Sequence, residues 1–291
     1  MREPLIILCP GRSFSSVICA VIGQHPEAFG LPEVHLFATK TVGQMLDIDM
    51  PFLGVPGATS GLKRAVAELA FGAQTDETIE KTNAFLHERR DYSGTQMFRE
   101  ICRLAGDRVI VEKSPTNTRR HAADRILAGF PKAKFLHIAR QPHATMRSQS
   151  KAFAKANKRL GLSSGNEMNW LKHHMVAMQV ASQVPAEQYM YLKGEWFFED
   201  PAFVLEQICV WLGLSADADS IAQMMKPEES PFACTGPEDA KYGNNVGFIE
   251  NPHLRIGKIK IEDLANPLDW REPNEVYLDN ETRALARVLG Y

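Results

Sequence analysis

Short apolar runs alternate with longer helical patterns along most of the chain. The apolar runs are five to seven residues long, which is the length of a buried strand. They lie at residues 5–9, 108–112, 133–139 and 188–192. Apolar positions at helical spacing follow at residues 15–23, 118–129, 144–160, 167–184 and 201–212. This alternation predicts an α/β fold of three layers, in which helices flank a central parallel sheet on both faces.

Two regions depart from the alternation. Residues 39–96 have a mostly helical pattern, and we expect a helical cap inserted at one edge of the sheet. Residues 227–270 are rich in Pro, Gly and Asn, and an irregular segment of this length is more typical of a functional lid than of a linker. We expect residues 1–291 to form a single domain that carries both features.

Composition and charge exclude several function classes. The net charge of −2 gives no basic field for nucleic acid. No segment approaches the ~20 apolar residues of a membrane helix, and the first apolar run enters a loop rather than a signal-peptide pattern, so we expect a cytoplasmic protein without a transmembrane segment. The five cysteines lack zinc or redox spacing, and we expect reduced core residues. They are Cys9, Cys19, Cys102, Cys209 and Cys234.

The loop after the first predicted strand carries the first candidate chemistry. It reads Pro10-Gly11-Arg12-Ser13-Phe14-Ser15-Ser16 and leads into a helical pattern. In a strand, loop and helix of this kind, free backbone N–H groups and the positive end of the helix face an anion. Arg12 adds a positive charge, and the three serines add hydroxyl donors. The Gly-Lys-Ser/Thr of a Walker A loop is missing, which favours a nucleotide other than ATP or GTP.

A second anion site is predicted after the strand at residues 133–139. Arg140 stands at the end of this strand, Pro142 suits the first turn of the next helix, and Ser148 lies about a turn and a half into it. An arginine fork and a nearby hydroxyl can hold a second phosphate. Because ligands bind at the carboxyl ends of parallel strands, we expect the two sites to converge.

These motifs resemble those of the sulfotransferases that use 3′-phosphoadenosine 5′-phosphosulfate (PAPS). That family has a Pro-Arg-Ser-Gly-Thr-Thr type of loop for the 5′-phosphosulfate, and an Arg-Pro motif with a Ser eight residues after the Arg for the 3′-phosphate. Residues 111–116 resemble its Glu-Lys-Ser-Pro strand end, and residues 193–214 resemble its Tyr-Glu-Asp…Asp-Pro…Phe-Leu-Gly segment. The resemblance spans roughly residues 5–214. The chain departs from the family motifs at three positions: Phe14, where Gly is usual, Gly194 and Trp196.

The resemblance implies a P-loop-like fold and PAPS as co-substrate, with adenosine 3′,5′-bisphosphate as product and no required metal. It assigns the 5′-phosphosulfate to the loop after the first strand, with Arg12 neutralising the leaving phosphate, and the 3′-phosphate to the second site. We expect Phe14 to fit this loop if its φ is negative. The implied nucleotide-binding residues are Arg12, Ser13, Phe14, Ser15, Ser16, Arg140, Ser148 and, in a basic Gly-containing loop, Arg255. Ser15 and Ser16 are equally interpretable as helix N-caps.

The acceptor hydroxyl needs a general base. Residues 30–37 are similar to the Glu-Val-His-Phe-Phe segment of heparan-type sulfotransferases, where the Glu is the base, so the resemblance puts the base at Glu33 with His35 second. The alternatives are a capping carboxylate for Glu33 and a packed imidazole for His35. Lys113 either contacts the sulfuryl group or pairs with a carboxylate.

The remaining features leave the acceptor and the competing functions open. His173 and His174 face different sides of a helix and do not share a metal ion. Met168, Met175 and Met178 are expected in the core or along an acceptor pocket, which favours a small or lipid-like alcohol. A homodimer is also considered. The alternative functions are a small-molecule kinase and a non-catalytic nucleotide-binding module. A kinase requires a Gly-Lys-Ser/Thr loop and Mg²⁺ ligands, and the sequence offers neither.

Overall fold

In the part of the chain that the structure describes, the central sheet has five strands. The computed structural model describes residues 2–47, 59–160, 166–271 and 276–291, with the backbone alone for residues 153–160 and 166. The strands are β1 (Leu5–Leu8), β2 (Ala28–Gly30), β3 (Val109–Glu112), β4 (Lys134–Ala139) and β5 (Tyr189–Lys193). They lie in the order β2-β3-β1-β4-β5, and every neighbouring pair is parallel.

Helices connect the strands and extend the chain beyond β5. Within the described ranges they are α1 (Ser15–Gly23), α2 (Val42–Asp47), α3 (Ser60–Phe71), α4 (Asp76–Glu88), α5 (Gly94–Leu104), α6 (Arg120–Gly129), α7 (Pro142–Leu160), α8 (Asn166–Ala181), α9 (Gly194–Glu199), α10 (Pro201–Leu212), α11 (Ala218–Met224), α12 (Val246–Glu250) and α13 (Asn280–Val288). Single 3₁₀ turns occur at Pro115–Thr118, Ala186–Gln188, Pro227–Glu229 and Glu238–Ala240.

Both faces of the sheet are buried. Ile6 and Leu8 belong to a core cluster that includes residues of α3, α5 and α6. Leu5 and Ile7 point to the other face and belong to a cluster that includes residues of α1, α10 and α11. Successive side chains of a strand alternate between faces, so an apolar run with no polar positions requires helices on both sides. The predicted three-layer α/β fold is confirmed.

The four predicted strands are confirmed to within one residue at each end, and the predicted helices at residues 15–23 and 201–212 match α1 and α10. The predicted helix at residues 118–129 begins two residues later, because a 3₁₀ turn occupies Pro115–Thr118. Residues 39–96 hold α2, α3, α4 and the start of α5 in their described part. Residues 227–270 contain only short turns and α12. The boundaries of a single domain with a cap and a lid stay a prediction.

The methionines of α8 do not lie in the core, and one of the five cysteines departs from the expected burial. Met168, Met175 and Met178 are 49%, 56% and 37% exposed, because α8 turns the face with Trp170 and His174 inward and the methionines outward. All five cysteines are free, but only four are buried, and Cys234 is exposed.

None of the described helices combines the length and apolarity needed to cross a membrane.

Candidate active site

The loop after β1 is shaped by side chains that hold its carbonyl groups. Gln149 Nε2 donates to the Gly11 carbonyl at 2.8 Å, and Arg140 Nη1 donates to the Arg12 carbonyl at 2.8 Å. The C=O and N–H of a trans peptide unit point in opposite directions. Tying these carbonyls toward α7 and the end of β4 therefore turns the following N–H groups to the other side of the loop, where an anion can bind.

Backbone conformations in this region are unusual for residues with side chains. Arg12, Phe14 and His35 have φ values of 74°, 67° and 52°, and no other non-glycine residue in the described ranges has a positive φ. Such strain concentrates at functional sites. The negative φ under which we expected Phe14 to fit the loop is not present. Its ring packs edge-on against Phe198, with centroids 4.8 Å apart.

The three serines of the loop have different environments. Ser13 Oγ is buried and has no hydrogen-bond partner among the described residues. Ser16 Oγ accepts a hydrogen bond from Lys113 Nζ at 3.0 Å, and Ser15 bonds to the Cys9 side chain. Phe14 is the N-cap residue of α1, so the capping interpretation of Ser15 and Ser16 is wrong and both lie in the first turn. Burial raises the pKa of Cys9 to about 12, and this thiol is therefore not a nucleophile.

Arg12, Arg140 and Ser148 come together as the sequence predicts. Arg12 Nε donates to Ser148 Oγ at 3.0 Å. Burial lowers the pKa of Arg12, and it lowers the pKa of Arg140 to about 10. Arg140 Nε is buried without a hydrogen-bond partner, and neither arginine forms an ion pair with a carboxylate in the described part of the chain. Two half-buried guanidinium groups without carboxylate partners favour an anionic ligand.

Lys113 lies at the centre of a second cluster, next to this loop. Its side chain is fully buried, and Nζ donates to Glu33 Oε1 at 3.0 Å, Ser16 Oγ at 3.0 Å and Asn244 Oδ1 at 2.7 Å. Three acceptors match the three N–H donors of an ammonium group. Of the two roles considered for Lys113, the pairing with a carboxylate is therefore present.

Glu33 is the carboxylate of this cluster. Its side chain is 21% exposed, so one face remains open to a ligand. Burial disfavours its charged form, but Lys113 and His35 outweigh that effect and lower the pKa of Glu33 to about 2. Glu33 is therefore ionised at neutral pH.

His35 supports Glu33 from the opposite side. Its Nε2 lies 3.6 Å from Glu33 Oε2, and its Nδ1 is 3.0 Å from Thr116 Oγ1. Its backbone N–H donates to Ser114 Oγ at 2.9 Å. Both hydroxyls follow β3, so the end of this strand fixes the segment that carries the two candidate bases.

Glu112 explains how the strand end is held. Its carboxylate is fully buried and accepts hydrogen bonds from the Ser114 backbone N–H at 3.0 Å and from the Asn117 side-chain amide. Burial raises its pKa. Glu112 is thus part of the turn, while the adjacent Lys113 reaches the site.

Asn244 and the backbone around it belong to this cluster and were not predicted from the sequence. The Gly243 carbonyl accepts a hydrogen bond from the Glu33 N–H at 2.7 Å. A Cβ at Gly61 would lie 2.0 Å from the Glu33 carbonyl oxygen, and one at Gly243 would lie 2.4 Å from the Gly61 nitrogen. Three backbone segments therefore meet behind Glu33, and the only signal in the sequence is the polar Gly243-Asn244-Asn245 run inside the irregular segment.

The structure does not bring Arg255 into either cluster. Arg255 is exposed. The nearby Gly257 N–H donates to the Phe198 carbonyl at 2.8 Å, so this segment runs beside the residue that contacts Phe14.

His173 and His174 have separate partners, as expected: His173 Nδ1 bonds Thr118, and His174 Nδ1 lies 2.7 Å from His137 Nε2.

All five strands deliver these residues to one edge of the sheet. Arg12 follows β1, Glu33 follows β2, Lys113 follows β3, Arg140 follows β4 and Gly194 follows β5. This is the carboxyl edge, where open α/β sheets bind their ligands. The family model described as the sulfotransferase family matches residues 4–218. The chain belongs to the sulfotransferase family.

Two solved structures are similar to this sulfotransferase over its whole length. The sulfotransferase domain of the Synechococcus PCC 7002 olefin synthase is 23% identical with a TM-score of 0.74, and covers 100% of this chain and 96% of its own. The sulfotransferase domain from the curacin biosynthetic pathway is 21% identical with a TM-score of 0.77, and the match covers 100% of this chain and 98% of that domain. At these identities the likeness shows a shared fold. No match was found among curated proteins.

Proposed function

We propose that this sulfotransferase transfers the sulfuryl group of PAPS to an acceptor hydroxyl and releases adenosine 3′,5′-bisphosphate. The observation that carries the proposal is the pair Arg12 and Arg140 at the carboxyl edge of the sheet. Both guanidinium groups are half-buried, and two buried donors of this site, Ser13 Oγ and Arg140 Nε, have no hydrogen-bond partner within the described ranges. Buried polar groups are normally hydrogen-bonded, and phosphate oxygens supply the missing acceptors.

The loop after β1 would hold the 5′-phosphosulfate. Its oxygens would accept hydrogen bonds from the backbone N–H groups that follow Gly11 and Arg12, from the Ser13 hydroxyl and from the Arg12 guanidinium group. As the bond between sulfur and the bridging oxygen breaks, negative charge grows on the 5′-phosphate. Fixed donors at this position stabilise that charge more in the transition state than in the ground state.

Arg140 would hold the 3′-phosphate through its Nε edge, because its Nη1 is already occupied by the loop carbonyl. Ser148 would orient Arg12, because its Oγ accepts a hydrogen bond from Arg12 Nε. Arg255 would join only as the irregular segment closes over the nucleotide.

Glu33 would act as the general base and take the proton of the acceptor hydroxyl, with His35 orienting it. A carboxylate with a pKa of about 2 is ionised but weakly basic. Lys113 links this basicity to the transfer. As charge develops on the departing phosphate, the Lys113 ammonium interacts with it more strongly and with Glu33 less strongly, which raises the proton affinity of Glu33 when the acceptor must lose its proton.

We propose a small or lipid-like alcohol as acceptor. The net charge of −2 offers no extended basic surface for a polyanionic glycan. Uncharged alcohols are therefore the first acceptors to assay.

The test is a thermal-shift comparison of adenosine 3′,5′-bisphosphate with ATP, each with and without Mg²⁺, followed by sulfuryl transfer from PAPS to a panel of alcohols. A ligand that binds only the native state raises its stability. We expect the bisphosphate to raise Tm without metal and ATP to raise it less. A larger shift with ATP and Mg²⁺ would support a kinase instead. Binding of the bisphosphate without transfer to any alcohol would support a non-catalytic module.

A further inference from the structure

Phe14 holds a position where a side chain is unfavourable. It is the N-cap residue of α1 with φ 67° and ψ 0°, in the left-handed region that glycine adopts most readily. A glycine at this position would remove the strain. The ring must therefore make contacts that offset the cost of the backbone conformation.

Those contacts connect Phe14 to the second anion site. The Arg140 guanidinium carbon lies 4.3 Å from the centroid of the Phe14 ring. Phe198 supports the ring from its edge, with an interplanar angle of 64°. A guanidinium group at this distance from an aromatic centroid is attracted by the ring quadrupole, and the attraction is larger away from water.

The ring and one hydrogen bond fix the orientation of Arg140. Its Nη1 donates to the Arg12 carbonyl, and its Nε is buried without a partner in the described part of the chain. With its position restricted by the ring and one nitrogen bound to the loop, the guanidinium group leaves its Nε edge for a ligand.

Gly194 makes room for this arrangement. A Cβ at position 194 would lie 2.6 Å from Phe14 Cδ2 and 3.0 Å from the Ala139 carbonyl oxygen. Phe14 and Gly194 are two of the positions at which the chain departs from the sulfotransferase motifs. One contact accounts for both departures.

We infer that Phe14 is a positioning residue for Arg140, that its ring holds the guanidinium group in the orientation that binds the 3′-phosphate, and that Gly194 is the matching small residue. This inference rests on the proposed function. It adds a residue that acts through Arg140 rather than on the reacting atoms.

The experiment compares the binding of adenosine 3′,5′-bisphosphate and adenosine 5′-monophosphate to wild type, Phe14→Leu and Phe14→Tyr by calorimetry. Leu and Tyr both carry a Cβ and keep the backbone strain, but only Tyr keeps an aromatic face. We expect Phe14→Leu to lose about tenfold in affinity for the bisphosphate, with the affinity for the monophosphate nearly unchanged. Phe14→Tyr should retain the wild-type preference.

The outcomes separate the two proposals. If wild type binds both ligands equally, the proposed function fails. If wild type prefers the bisphosphate and Phe14→Leu keeps the full preference, or loses affinity for both ligands alike, the positioning role of Phe14 fails while the proposed function stands.

A second measurement tests the pairing with Gly194. Gly194→Ala should lower Tm by about 5 °C in wild type, the scale of overpacking a tight site. In the Phe14→Gly background the decrease should be about half as large, because only the contact with the Ala139 carbonyl remains. Equal decreases in both backgrounds would overturn the pairing.

Discussion

The salt bridge between Lys113 and Glu33 predicts a large and pH-dependent loss of stability in Lys113→Met. Methionine has a similar volume, but it removes the ammonium group from a fully buried position. Glu33 then stays in the site without its principal cation. Ser16 Oγ and Asn244 Oδ1 also lose their donor.

The magnitude follows from the pKa of Glu33. Folding lowers it from 4.5 to about 2, and each tenfold change in acidity is worth about 1.4 kcal/mol. The folded environment thus favours the carboxylate by about 3 kcal/mol, which agrees with the cost of breaking a buried ion pair on one side. We expect Lys113→Met to lower the free energy of unfolding by about 3 kcal/mol at neutral pH.

The pH dependence has a definite direction. Because the folded-state pKa is lowered, the contribution of Glu33 is fully present above pH 4.5 and is lost as the pH falls from 4.5 toward 2. The difference in free energy of unfolding between wild type and Lys113→Met should therefore shrink by about half between pH 7 and about pH 3. Glu33→Gln should be less destabilising, because Gln keeps an oxygen acceptor for Lys113 and all three N–H donors of the ammonium group stay hydrogen-bonded.

The assay is denaturant unfolding of wild type, both single variants and the double variant, with fluorescence and circular dichroism as coincident probes. We expect a coupling free energy of about 2 kcal/mol between Glu33→Gln and Lys113→Met. Strict additivity of the two substitutions would refute the reasoning. So would a deficit of Lys113→Met that is the same at both pH values.

Three further predictions concern turnover, binding and packing. Glu33→Gln should lower the rate of sulfuryl transfer from PAPS by ~10²–10⁴-fold with nearly unchanged binding of adenosine 3′,5′-bisphosphate. His35→Asn is the matched control and should lower the transfer rate less; the reverse order would assign the base to His35. Arg140→Ala should weaken binding of the bisphosphate by roughly 2–4 kcal/mol in calorimetry and affect adenosine 5′-phosphosulfate much less, and equal losses would contradict its place at the 3′-phosphate. Gly61→Ala should lower Tm by about 5 °C, because the added Cβ would lie 2.0 Å from the Glu33 carbonyl oxygen. The control is Gly72→Ala, whose Cβ meets no atom within 4 Å and which therefore measures only the cost of a positive φ. Equal decreases in Tm would show that the backbone behind Glu33 moves to accommodate the added Cβ.

Sequence patterns predict the sheet well where a strand is an uninterrupted apolar run. They miss β2, because Ala28, Phe29 and Gly30 are too few to show a period and one of them is glycine. The same limit explains the methionines of α8. Met and Trp are both apolar, and only the packing of the helix decides that Trp170 faces inward and Met175 outward.

The candidate site shows a similar division. Residues at strand ends, such as Arg12, Lys113 and Arg140, can be predicted to converge because parallel strands share one carboxyl edge. Asn244 cannot be found in this way, because it reaches Lys113 from a segment without periodicity. The contact between Phe14 and Gly194 is invisible as well, since each residue alone appears only as an exception to a motif.

The bond between Lys113 and Asn244 joins residues 131 positions apart, and the bond between Arg12 and Ser148 joins residues 136 apart. Closing loops of this length costs chain entropy that the contacts must offset. During synthesis the chain must extend to Asn244 before Lys113 can acquire its third acceptor. The third acceptor of Lys113 is therefore a property of the nearly finished chain, and a ribosome-bound intermediate that already contains every described strand of the sheet still lacks it.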